Sequence, residues 1–160
     1  DKLPTITMWL MGSLANVSYR DVLLCAAIEI PCLAVAMILR WKMNLLSLDQ
    51  EEARSLGINV KKLRLIVILI ATLMTAVTVS VCGIIGWIGL VIPHIARLLI
   101  GNDHRTLIPA SALMGSIYLL LIDTAARVAT AGEVPLSILT AMVGAPFFAV
   151  ILRKTSGGRE

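Results

Sequence analysis

Between Leu65 and Ile92 the chain carries no charged side chain, and only His94 and Arg97 break the apolar run before Ile100. At 1.5 Å per residue, one helix from Leu65 to Ile100 would be about 54 Å long, against a hydrocarbon core of about 30 Å. The run must therefore turn back. Gly83, Gly86 and Gly89, followed by Pro93, mark where. Two spans are expected, about 63–82 and 84–100, the second short and partly re-entrant. Val22 to Leu39 is apolar except for Glu29, and Thr106 to Ile122 and Val134 to Leu152 are uncharged. The expected architecture is all-α: a polytopic membrane bundle of about five spans, at about 22–39, 63–82, 84–100, 106–128 and 134–152, making one transmembrane domain over 1–160. A composition 58% hydrophobic and 15% charged agrees with it, since soluble domains carry about a quarter charged residues.

The charges that remain are sorted by side. Alternating five spans puts Arg40, Lys42, Arg54, Lys61, Lys62, Arg64, Arg97, Arg105, Arg153, Lys154 and Arg159 on one face and only Lys2, Arg20 and Arg127 on the other. The positive-inside rule then assigns the C-terminus and the connector 40–63 to the cytoplasm, with lipid around the spans. The formal net charge of +4 is thus a topology signal rather than a nucleic-acid surface. Cys25, Cys32 and Cys82 lie within apolar runs with no C-x-x-C pair and read as packing residues, not a disulfide frame or a metal site. Leu3 to Ala15 is too short to span. With the odd number of spans it suggests the end of an earlier helix in a longer protein.

Three segments carry information. In the connector, Ser47 with Gln50 or Asp49 with Glu52 fits a capping box, and Gly57 suits a helix C-terminus, so a short helix is expected over about 49–56. Asn59 can cap the start of the next helix. The connector reads either as a solvated link or as a docking knob for a cytoplasmic partner. In Gly83-Ile84-Ile85-Gly86-Trp87-Ile88-Gly89-Leu90-Val91-Ile92-Pro93-His94, small residues permit close helix approach and a backbone break. His94 has no second ligand at metal spacing and reads as a structural, hydrogen-bonded histidine. Asp123 and Arg127 stand at i,i+4, fit for an ion pair or for offering Arg127 to an acidic partner outside. Glu29 has no partner visible in the sequence. No G-x-x-x-x-G-K-[ST], G-x-S-x-G or H-E-x-x-H occurs, so neither P-loop ATP binding nor a hydrolase motif is present.

The ordered set Ser47-Leu48-Asp49…Glu52-Ala53-Arg54-Ser55-Leu56-Gly57, Gly83 to Arg97, Asp103-His104-Arg105…Pro109-Ala110-Ser111-Ala112, Asp123…Ala126-Arg127 and Glu133-Val134-Pro135…Gly144-Ala145-Pro146-Phe147-Phe148 closely resembles the permease subunits of iron-siderophore, haem and vitamin B12 ABC importers, from about Trp9 to Lys154. Trp87 stands where the family usually has Phe, and Asn102 where it often has Pro. The resemblance implies the C-terminal five of about ten spans, in a homo- or heterodimer with a second permease subunit. It implies an ATPase subunit docked on coupling helices within 45–60, centred on Leu48, Glu51, Glu52, Ala53, Arg54, Leu56 and Gly57. It also implies that Arg127 contacts a substrate-binding protein outside. Gly83, Gly86, Gly89, Pro93, Pro135, Gly144 and Pro146 become the positions where pathway helices break or approach. No cofactor and no catalytic chemistry are implied for this chain; ATP hydrolysis belongs to the partner. On physics alone, a secondary transporter or channel competes with this reading, and an intramembrane enzyme stands behind both.

Overall fold

Ser18 and Asp21 start the first long helix three residues before the expected 22–39. The Asp21 amide donates to Ser18 Oγ at 3.3 Å and the Ser18 amide donates to Asp21 Oδ2 at 3.0 Å, a reciprocal capping box. The computed structural model describes residues 3–47, 57, 59–129 and 135–156. Its helices are α1 (Leu3–Leu10), α2 (Tyr19–Met43), α3 (Val60–Cys82), α4 (Ile88–Ile100), α5 (His104–Ala129) and α6 (Leu136–Ser156), with a 3₁₀ turn over Asn44–Ser47 after α2. Asn59 caps α3, its Oδ1 accepting from the Lys62 amide at 3.0 Å, as its side chain suggests in the sequence. The helix expected at 49–56 lies outside the described residues.

Among the described residues, three helical stretches are long and apolar enough to cross a membrane: Tyr19–Leu46, Val60–Cys82 and His104–Val128. Two more apolar helices, Ile88–Ile100 and Leu136–Ile151, are shorter. The expected span 84–100 is helical only from Ile88, because residues 83–87 are not helical. Gly83 takes φ +73°, ψ −164°, a region essentially confined to glycine. A Cβ there would overlap the Trp9 carbonyl oxygen. With 13 residues, α4 rises about 20 Å.

The helices alternate in direction. Val22 and Cys25 of α2 line one cavity with Val81 and Cys82 of α3, and Leu39 and Met43 line another with Val67 and Ile70, so these two run antiparallel. The C-terminal turn of α2 meets the N-terminal turn of α5, where Arg40 donates to the Arg105 carbonyl at 3.0 Å. One end of the bundle therefore gathers Arg40, Lys42, Lys61, Lys62, Arg97 and Arg105; the other holds Tyr19, Cys82, Arg127 and Leu136. Burial concentrates around α4: Val91, Ile92 and Ala96 are buried with Leu107 and Ala126 of α5 and Leu136 and Thr140 of α6. Leu23, Leu69, Leu98 and Leu120 are exposed. Apolar side chains on the outside and small residues at the contacts fit helices packed in lipid rather than water.

Candidate coupling end, backbone break and outward arginine

At the basic end, Asn44 closes α2 and opens the turn that leads into the connector. Its Oδ1 accepts from the backbone amide of His104 at 2.8 Å and lies 2.7 Å from His104 Nδ1. A backbone N–H only donates, so Oδ1 must face His104; this leaves Nδ2 to donate to Asp103 Oδ1 at 2.7 Å. Because the same oxygen faces Nδ1, that ring nitrogen carries the proton. Asp103 Oδ1 also accepts from the Arg105 amide at 2.9 Å, capping α5. The Arg105 amide first, and then the Asn44 amide, hold the Asp103 carboxyl below the usual carboxylate range. The Arg105 guanidinium lies 5.8 Å from the Trp41 ring centroid, a cation–π distance. Of the residues expected to dock an ATPase, Gly57 is described: φ is +75°, the residue is exposed, and a Cβ would meet nothing within 4 Å. Leu48, Glu51, Glu52, Ala53, Arg54 and Leu56 lie outside the described residues.

At the opposite end the backbone leaves helical form at one node. The connector after α1 threads between the end of α3 and the start of α6: the Ser13 amide donates to the Cys82 carbonyl at 2.9 Å, and the Leu136 amide to the Gly12 carbonyl at 3.0 Å. Ser137 Oγ donates to the Met11 carbonyl. These bonds satisfy backbone groups that a helix break would leave unpaired where water is excluded. Gly12, at φ +72°, has no room for a side chain, since a Cβ would lie 2.7 Å from the Ile84 carbonyl oxygen. Trp87 has φ +68°, rare for a bulky residue. It packs against α6, where a Cβ on Gly144 would lie 2.6 Å from Trp87 Cβ and where Phe148 meets the indole edge-on at 6.2 Å between centroids.

The glycines and prolines singled out in the sequence thus fall into two groups. Gly83 and Gly86 lie in the non-helical 83–87 segment, and Pro135 immediately precedes α6. Gly89 and Pro93 lie inside α4, and Gly144 and Pro146 inside α6, where both helices continue through the proline. Pro93 falls in the second turn of the short α4, so the turn-back happens before it, at 83–87.

Arg127 Nε donates to Asp123 Oδ2 at 2.8 Å. This is the i,i+4 pair, with the arginine side chain 59% exposed. Glu29 does not reach a helix end. It lies near the middle of α2, where Thr78 Oγ1 donates to its Oε1 at 2.6 Å beside an apolar cavity of about 430 Å³. His94 is half-buried, and its ring has no hydrogen-bond partner among the described residues, so the hydrogen-bonded role expected from the sequence is not found there. Asn44, Asp103, Thr78 and Gly12 were not legible as site residues. Their partners stand far away along the chain, 59 residues for Asn44 and Asp103, and no local spacing encodes such a pair.

The chain matches the model of the FecCD transport family over residues 1–154. It is 42% identical over 158 residues to the molybdate import system permease protein MolB of Haemophilus influenzae, covering 99% of this chain and 47% of that protein. It is 39% identical over 155 residues to the hemin transport system permease protein HmuU of Yersinia pestis, covering 96% and 46%. Against the cobalamin import system permease protein BtuC of Halobacterium salinarum it is 42% identical over 145 residues, covering 91% and 39%. A solved ABC transporter of metal-chelate type, in an inward-facing conformation, superimposes with a TM-score of 0.92 at 43% identity, over 96% of this chain and 50% of that one. The chain spans about half the length of the relatives it matches. With three helical stretches of membrane-crossing length and composition, it is a multi-pass membrane protein of the FecCD transport family.

Proposed function

We propose that this chain forms part of the translocation pathway of a binding-protein-dependent ABC importer, in the cell (inner) membrane with the basic end cytoplasmic. The single observation that carries the reading is the TM-score of 0.92 at 43% identity to an ABC transporter of metal-chelate type. The substrate belongs to the class named for its relatives: molybdate, haem, cobalamin or an iron chelate. In this reading a partner ATPase docks on the connector 45–60, through Leu48, Glu51, Glu52, Ala53, Arg54, Leu56 and Gly57. A second permease subunit completes the pathway, and the exposed Arg127 meets an acidic residue of the binding protein. This chain contributes no catalytic group. Its role is to hold two arrangements that ATP binding and release favour in turn, since a ligand shifts an equilibrium only by its preference between states.

Two features support these assignments. Gly57 is exposed with open space around it, so a partner surface has access to it. The basic end is tied together by Arg40, Asn44, Asp103 and Arg105, so force applied there reaches more than one helix. The test is co-purification of the full-length permease with its ATPase after mild detergent extraction. The wild type is expected to co-elute with the ATPase, while Gly57→Arg and Glu52→Arg reach the membrane in normal amounts and lose it. Retention of the ATPase by both variants would refute the docking assignment. A permease that never co-elutes with an ATPase would refute the importer reading.

A further inference from the structure

The connector is rooted in a residue that also grips another part of the bundle. Asn44 is simultaneously the cap of α2, the first residue of the turn leading to the connector, and a bonding partner of both Asp103 and His104 at the start of α5. Four short contacts meet there: Asn44 Nδ2 to Asp103 Oδ1 at 2.7 Å, the His104 amide to Asn44 Oδ1 at 2.8 Å, His104 Nδ1 to the same oxygen at 2.7 Å, and the Arg105 amide to Asp103 Oδ1 at 2.9 Å. The turn between α4 and α5 is otherwise short and open: Gly101 takes φ +85°, and a Cβ there would meet nothing within 4 Å. Beside Asn44, Arg40 and Trp41 also tie this turn to the root of the connector, through their contacts to Arg105.

We propose that Asn44 is a positioning residue that latches the root of the connector to the α4–α5 turn, so that a displacement imposed on the connector moves α4 and α5 with it. This rests on the importer reading above, in which the partner ATPase acts on that connector. Through the latch, the short α4, which follows the 83–87 break and the Trp87–Gly144 contact, would respond to an event at the opposite end. A rigid helix held at its C-terminal turn carries the motion along its length. Coupling of this kind is energetic, through a contiguous set of packed and bonded groups with discrete arrangements.

The geometry allows a swap that separates positioning from mere folding. Asn44→Asp sets a second carboxylate against Asp103 Oδ1, across a gap now bridged at 2.7 Å, and should break the latch. In the double variant Asn44→Asp with Asp103→Asn, one carboxylate oxygen at position 44 accepts both His104 donors. The new amide at position 103 donates to the other oxygen and gives up the Arg105 amide, because a single Asp103 oxygen accepted from both Asn44 and Arg105. The three contacts that join position 44 to 103 and 104 are restored with the charge moved across. The experiment measures uptake of molybdate, haemin, cobalamin and ferric citrate, offered separately, per ATP hydrolysed by the full importer assembly in liposomes. The latch predicts that Asn44→Asp lowers uptake per ATP by about tenfold and that the double variant returns to within about threefold of the wild type. Wild-type coupling in Asn44→Asp would overturn the latch, and so would a double variant that transports, or assembles, no better than the single one. A wild-type assembly that neither hydrolyses ATP nor takes up any of the four would overturn the importer reading itself.

Discussion

Replacing Gly144 with alanine tests whether the 83–87 break is held by close contact with α6. The added Cβ would lie 2.6 Å from Trp87 Cβ and 2.9 Å from Trp87 Cγ. Ordinary contact begins at 3.4 Å, so the two must separate by at least 0.8 Å, the difference between 3.4 and 2.6. Side-chain rotation does not help, because the nearest atom is Cβ, fixed by a backbone at φ +68°. Either α6 or the 83–87 segment must move, opening the edge-on contact between Trp87 and Phe148. Overpacking of this kind costs about 1–3 kcal/mol, against a helix-propensity gain of at most about 1 kcal/mol for Gly→Ala. An approach this far inside ordinary contact puts the cost in the upper part of that range, about 2–3 kcal/mol, so a net loss of about 1–2 kcal/mol lowers the melting temperature of the detergent-solubilised assembly by about 2–8 °C. The decisive assay is a double-mutant cycle. In a Trp87→Gly background the obstructing Cβ is gone, so Gly144→Ala should become neutral or slightly stabilising. Equal costs in both backgrounds, or a Gly144→Ala protein as stable as the wild type, would refute the close-contact reasoning.

Two further substitutions separate backbone strain from steric exclusion. Gly83 and Gly101 share nearly the same glycine-only conformation, but a Cβ at Gly83 meets the Trp9 carbonyl oxygen while one at Gly101 meets nothing within 4 Å. Gly101→Ala should therefore cost only the backbone penalty of about 1–3 kcal/mol, and Gly83→Ala should lose folded protein altogether; comparable yields and melting temperatures would contradict this. Arg127→Glu replaces the ion pair with two carboxylates at i,i+4 and should cost only about 0.2–0.5 kcal/mol of stability, while weakening binding-protein affinity by at least about tenfold. Unchanged affinity would sink the outside contact, and restoration by the reversed charge on the binding protein would support it.

The helical class was legible because a long uncharged run bounded by Gly and Pro leaves few alternatives, and Asn59 announced the start of α3 by its capping chemistry. Ser18 and Asp21 carried an equally local signal for the start of α2, at capping-box spacing. The start of α4 was harder to read. Gly86, Trp87 and Gly89 are compatible with a helix beginning at 84, and the delay to Ile88 comes from tertiary contacts of Gly83 and Trp87 with Trp9 and Gly144. Glu29 illustrates the same limit. Its nearest bonding partner, Thr78, is supplied by a different helix, and threonine in an apolar run gives no sign of whether it faces lipid or a carboxylate. The latch at Asn44 was invisible for the reason that makes it useful, since it joins two parts of the chain that sequence keeps far apart.

The most direct measurement of the central claim is uptake into liposomes containing the full-length permease with its ATPase and binding protein, with and without ATP on the basic side. The importer account predicts uptake that requires ATP, stops when the ATPase carries a substitution of its catalytic base, and falls with Gly57→Arg. Uptake by the permease alone, driven by an ion gradient and indifferent to ATP, would contradict it and identify a secondary transporter instead.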